Sequence, residues 1–130
     1  MTTQDLIEEI VRALPGRIFL HRTNEIPQDV VECFIIELGG TDVDTEFSGL
    51  STVKYHLTTP IYVTYRCRTH PDRVLEKLLD GRDTIVRELS PLGSLEPKFT
   101  LQRFDEPTVG DAEASFVELR AEWQHRYLLP

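Results

Sequence analysis

Val30-Val31-Glu32-Cys33-Phe34-Ile35-Ile36-Glu37-Leu38 and, after a polar interval, Tyr55-His56-Leu57-Thr58-Thr59-Pro60-Ile61-Tyr62-Val63-Thr64-Tyr65-Arg66-Cys67 form the stretch on which the fold turns. The first arm is apolar at nearly every position, the pattern of a strand covered on both faces, which places it inside a sheet. The second arm alternates, so that Tyr55, Leu57, Ile61, Val63, Tyr65 and Cys67 share one side, expected to face the core. Pro60 has no N–H for a ladder and marks an edge strand or a bulge, which puts the free edge of the pair on this arm. The interval Gly39 to Thr52 (GGTDVDTEFSGLST) is longer than a hairpin turn needs and reads as a loop. Long loops in compact domains are usually functional or disordered.

Outward from this pair, Leu6, Ile7, Ile10, Val11 and Leu14 recur at helical spacing behind a cap at Thr3, and Pro15-Gly16 stops the helix. Ile18-Phe19-Leu20 is a short extended run, and His21 to Asp29 is a polar surface link containing Pro27. On the other side, Pro71 opens a helix whose stripe is Val74, Leu75, Leu78, Leu79, Ile85, Val86 and Leu89. Gly81 falls in its middle and predicts a kink. Lys98 to Phe104 reads as a strand, Asp105 to Asp111 as a turn, and Ser115 to Tyr127 as a long half-buried strand with Val117, Leu119, Ala121, Trp123, His125 and Tyr127 on one side.

These elements predict an α+β fold: a mixed, mainly antiparallel sheet of about four to five strands with two helices packed on one face. Residues 1–130 are expected to make a single domain. The opposite face is expected to expose Val31, Cys33 and Ile35, and an apolar patch of that kind marks a partner surface.

Fourteen basic against 22 acidic residues give a net charge of −8, which disfavours a phosphate backbone as partner and argues against sequence-specific nucleic-acid binding. The start MTTQDLIEEIV has neither a basic nor an apolar leader region, and no window approaches the roughly 20 apolar residues that span a bilayer. The expectation is a protein of the cytoplasm with no membrane partner. Cys33 and Cys67 read as buried reduced thiols, with a disulfide only if the strands set them opposite each other.

Four histidines, His21, His56, His70 and His125, lack a serine, cysteine or carboxylate at the spacing of a known nucleophile or acid–base motif. Cys67-x-x-His70 is half of a zinc set without a second pair. Asp42-x-Asp44-x-Glu46 starts like a calcium loop, but Phe47 and Val53 stand where the glycine and the final glutamate belong. No glycine-rich phosphate cradle is present. No catalytic, cofactor-binding or metal-binding residue is therefore assigned, and the expectation is a protein without cofactor that is not an enzyme. Two acidic segments remain, Asp42/Asp44/Glu46 and Asp105/Glu106/Asp111/Glu113, which either keep loop tips solvated or recognise a partner. Phe47 and Leu50 set apolar side chains among the first group, so Asp42, Asp44, Glu46, Phe47 and Leu50 form the candidate interface.

The layout resembles that of the tail terminator proteins of long-tailed bacteriophages, the family that includes the phage lambda tail terminator. The matching parts are the amphipathic helix Leu6 to Leu14, Ile26-Pro27 leading into Val30 to Leu38, the acidic stretch Gly39 to Thr52, the alternating strand Tyr55 to Cys67, the helix Asp72 to Leu89, and the final strand Ser115 to Tyr127. The resemblance is one of pattern over almost the whole chain and has no diagnostic motif. It implies a mixed α/β subunit of a homo-hexameric ring that caps the tail tube, stops addition of the major tail tube protein and joins the head-completion or neck proteins. It also implies a place at the head-proximal end of the virion tail, after assembly in the host cytoplasm, with DNA passing through the lumen. Two other classes fit the same residues: a neck or head–tail connector protein, and a small cytoplasmic α+β enzyme or ligand-binding dimer with His56, His70 and Tyr65 as its site.

Overall fold

The computed structural model describes residues 1–21, 26–27, 29–49, 52–110 and 116–129, with only the backbone of Ser48. The candidate interface residue Leu50, part of the His21 to Asp29 link, and Asp111, Glu113 and Ser115 lie outside the described residues. The elements run α1 (Thr3–Ala13), β1 (Ile18–Leu20), β2 (Glu32–Leu38), β3 (Asp42–Ser48), β4 (Thr52–Arg68), α2 (Val74–Leu89), β5 (Phe99–Phe104), β6 (Thr108–Val109) and β7 (Phe116–Leu129). Short 3-10 turns flank α2 at Pro71–Arg73 and Ser90–Ser94. The fold is α+β, and its sheet has seven strands, more than the four to five expected. The difference comes from β3, hidden in the stretch read as a loop, and from the short β6 inside the stretch read as a turn.

The strand order is β1-β2-β4-β7-β5, with β3 on β4 and β6 on β7. β1 runs parallel to β2, and the other pairings are antiparallel. The frame of the sheet is the β4–β7 ladder, in register from Tyr55↔Leu129 to Arg68↔Phe116. β4 is thus an inner strand, contrary to the edge position that Pro60 suggested. The reason lies in the pairing beside Pro60. β2 leaves β4 at Leu38↔Ile61 and β3 joins it at Asp42↔Thr58. The Pro60 carbonyl accepts from the Gly39 N–H at 2.9 Å. In an antiparallel strand the N–H and C=O of one residue point the same way, so the donor that proline lacks falls in the gap between β2 and β3. A Cβ at Gly39 would come within 2.9 Å of the Tyr62 ring, so this crossing also needs glycine.

One face of the sheet carries the core. Leu6 and Ile10 of α1, Leu14 just after it, and Ile85 and Leu89 of α2 pack with Phe34, Ile36, Ile61, Val63, Tyr65, Val117, Ala121 and Trp123. Both helices lie on this face, each contributing one apolar stripe. α1 is capped by Thr2, one residue before the expected Thr3: the Thr2 hydroxyl accepts from the Asp5 N–H at 3.1 Å, and the Asp5 carboxylate accepts from the Thr2 N–H at 3.2 Å. α2 is continuous through Gly81. Gly81 is there because a Cβ would sit 2.2 Å from the Tyr65 ring, so the helix backbone packs directly on that ring.

The opposite face does not expose the expected apolar patch. Val31 is exposed, but Cys33 and Ile35 are buried. Ile35 pairs with Phe19 on one side and Thr64 on the other, and longer side chains close the rows around them. The Arg120 guanidinium lies 4.3 Å over the Tyr62 ring, and that of Arg66 lies 4.5 Å over Phe116. Arg66 also donates to Glu118 at 2.9 Å, and Arg120 bonds Asp105. Long cationic stems cover the apolar floor while their charged ends pair at the surface. Cys33 is on this face and Cys67 on the core face, so the two cysteines cannot form a disulfide with each other.

Candidate functional site

β3 and the first half of β4 form a ribbon that extends beyond the end of β2, with β7 paired along the other side of β4 as far as Tyr55↔Leu129. Its register is Val43↔Leu57, Asp44↔His56, Thr45↔Tyr55, Glu46↔Lys54 and Phe47↔Val53. Alternation therefore sorts the sequence DVDTEFS cleanly by face. Val43, Thr45 and Phe47 join Val53, Tyr55 and Leu57 on one side, while Asp42, Asp44 and Glu46 join Lys54, His56 and Thr58 on the other. Gly49, at φ 74°, begins the turn in the left-handed conformation that glycine adopts without strain.

The apolar side continues the core face of the sheet. Along β4, Ile61, Val63 and Tyr65 lie buried under the helices, and Tyr55, an even number of residues away on the same strand, points the same way but is exposed. Phe47 is 77 % exposed, Val43 57 % and Tyr55 43 %. Tyr55 was expected in the core because its alternation matches Ile61 and Val63; the helices end short of it. Leu129 of β7, paired with Tyr55, extends the stripe.

The acidic side is held by local pairing. His56 Nε2 lies 2.7 Å from Glu46 Oε2, and this hydrogen bond with the imidazole lowers the Glu46 pKa. Asp42 and Asp44 are exposed beside it. Of the predicted interface residues, the structure gathers Asp42, Asp44 and Glu46 on one face and Phe47 on the other. Val43, Val53 and Tyr55 belong with Phe47 and were missed. The signal for them was present as Val43-x-Thr45-x-Phe47, a period-two run of strand-forming residues interleaved with acids.

The residues of the alternative enzyme site do not converge. His56 and Tyr65 are nine residues apart on β4, roughly 30 Å along a strand, and on opposite faces. His70 lies after β4 and bonds Asp72 at the surface. Burial raises the Tyr65 phenol pKa, with Cys67 and Glu32 adding to it, and Tyr65 donates to Glu32 at 2.7 Å. His125 is buried, with Nδ1 3.0 Å from the Thr3 hydroxyl and Nε2 3.6 Å from Glu96 Oε2, beyond hydrogen-bonding reach. Recesses of about 360 Å3 beside Tyr65 and about 190 Å3 beside Thr64 are lined mainly by charged side chains of both signs, unlike the mostly apolar pockets that take small ligands. Among the described residues no three His, Cys, Asp or Glu come together as a metal site, and no helix is long and apolar enough to cross a membrane.

No protein-family model matches the chain, and no curated protein matches it.

Proposed function

We propose that this protein is a structural subunit of a long-tailed bacteriophage, a tail terminator that assembles as a homo-hexameric ring on the tail tube, stops its growth and presents a surface to the head-completion proteins. The observation that carries this reading is the ribbon: a small domain extends its core face into an uncovered apolar stripe, which solvent disfavours and a partner would bury. The order of helix, strands, helix and strands that resembles the terminator family supports it. The charge of −8 per chain supports it too, because a ring of such subunits repels phosphate and lets DNA pass through the lumen without being held.

The test is electron microscopy of particles made without the protein. Over-long tubes, returned to normal length by adding it, are the expected outcome. Tails of normal length that fail to join heads would assign it to the neck instead, and normal particles would remove it from tail assembly.

A further inference from the structure

A second apolar surface lies uncovered on the same face of the sheet. Leu75 is 70 % exposed and Leu79, one helical turn on, is 39 % exposed. Asp80, Thr84 and Arg87 line the recess shared with Glu32 and Phe34, so that flank of α2 faces β2. At about 100° per residue Leu75 and Leu79 fall on the other flank, toward β7 and the outer strand β5. The ribbon stands at the β2 edge of the sheet. The chain thus carries two unlike apolar surfaces, on one face, at opposite edges.

We propose that the ribbon of one copy docks head to tail against the Leu75/Leu79 flank of α2, alongside β5, of the next copy. Ribbon against ribbon would leave the α2 flank bare, whereas pairing the unlike surfaces covers both, and each copy offers one of each. Such a heterologous contact closes only as a ring. The faces agree: with the ribbon beside β5, Phe47 and Val43 lie on the helix side, where Leu75 is. Charge agrees as well. Asp42, Asp44 and Glu46 then lie on the side where Arg103 of β5, paired with Asp105 at 3.1 Å, keeps 68 % of its side chain exposed and can share its charge with a neighbour's carboxylates. This inference rests on the ring of the proposed function and specifies which surfaces build it.

The experiment is light scattering on the full chain and two variants, Phe47→Asp in the ribbon and Leu75→Glu/Leu79→Glu on the helix, each checked for a native thermal transition. Phe47→Ser and Leu75→Gln replace any variant that fails this check. The wild type is expected to assemble, and each variant to assemble at least about tenfold more weakly. An equal mixture should give a mass of two copies, because each variant retains the surface that the other has lost. A wild type of single-copy mass at every concentration overturns the proposal, as does a variant that assembles like the wild type or a mixture that stays at one copy. Wild-type rings with unaffected variants would sink this contact and leave the ring. A complementing mixture, with normal tails in the protein's absence, would sink the tail function and leave the contact.

Discussion

The Tyr65 ring occupies the space in which a side chain at residue 81 would stand: a Cβ on Gly81 would lie 2.2 Å from Tyr65 Cδ1. Helix α2 and strand β4 are in contact through a backbone and a ring, and neither can move aside without disturbing the core around Ile61, Val63 and Ile85.

Gly81→Ala is therefore expected to destabilise the fold by about 1 to 3 kcal/mol or more, although alanine is the better helix former by about 1 kcal/mol. Pairing it with Tyr65→Val should recover part of the loss, because the ring is what the methyl group meets. Urea denaturation of the two single variants and the double variant measures this. Strictly additive losses would show that the ring is not the obstacle.

Ile35→Ala should cost about 2 to 5 kcal/mol, because Ile35 is fully buried on the face away from the helices. Leu79→Ala should cost far less, within about 1 kcal/mol, even though the apolar stripe of α2 includes it. The reverse ranking in chemical denaturation would mean that the far face is open and the helix flank is closed.

His125 makes stability depend on pH. Burial holds its pKa below the ordinary histidine value, with Glu96 opposing in part. The unfolded chain then binds the proton more readily than the folded one, so the contribution is fully present above the unfolded pKa of about 6.5 and is lost as pH falls toward the folded value. Denaturation at about pH 7.5 and pH 5.5 should show lower stability at the acidic value, with a smaller difference in His125→Gln. An unchanged difference in that variant would assign the effect to other groups.

Phe47→Ser should leave stability within about 0.5 kcal/mol of the wild type, since its side chain meets solvent on most of its surface. A loss of several kcal/mol on thermal unfolding would place Phe47 in a core instead.

The parts of the fold that were legible were those in which periodicity and burial agree. β2 is apolar on both sides and is buried at Cys33, Phe34, Ile35 and Ile36; β7 alternates from Val117 to Trp123 as expected. β3 was missed because acids weigh against a strand and because Gly39-Gly40 looks like the start of a loop, while the pairing that stabilises β3 comes from β4. Pro60 misled because proline reports a missing donor, and only the sheet shows where that gap falls. Asp42, Asp44, Glu46 and Phe47 were singled out through composition. Their division between two faces needed the register of β3 on β4, and Leu75 and Leu79 look like core residues until the extent of the sheet beneath α2 is known.

The β4–β7 ladder also has a bearing on synthesis. β4 ends at Arg68 and its long partner does not begin until Phe116, so the inner edge of β4 stays open while nearly fifty residues follow it from the ribosome. Throughout that interval the nascent chain displays an unpaired strand edge with Ile61, Val63 and Tyr65 bare, and α2 has only half a sheet to rest on. Pairings so distant in sequence are slow to form, and exposed edges of this kind are where chains aggregate. Production of this protein is accordingly expected to depend on temperature and expression rate in a way that its final stability does not reveal.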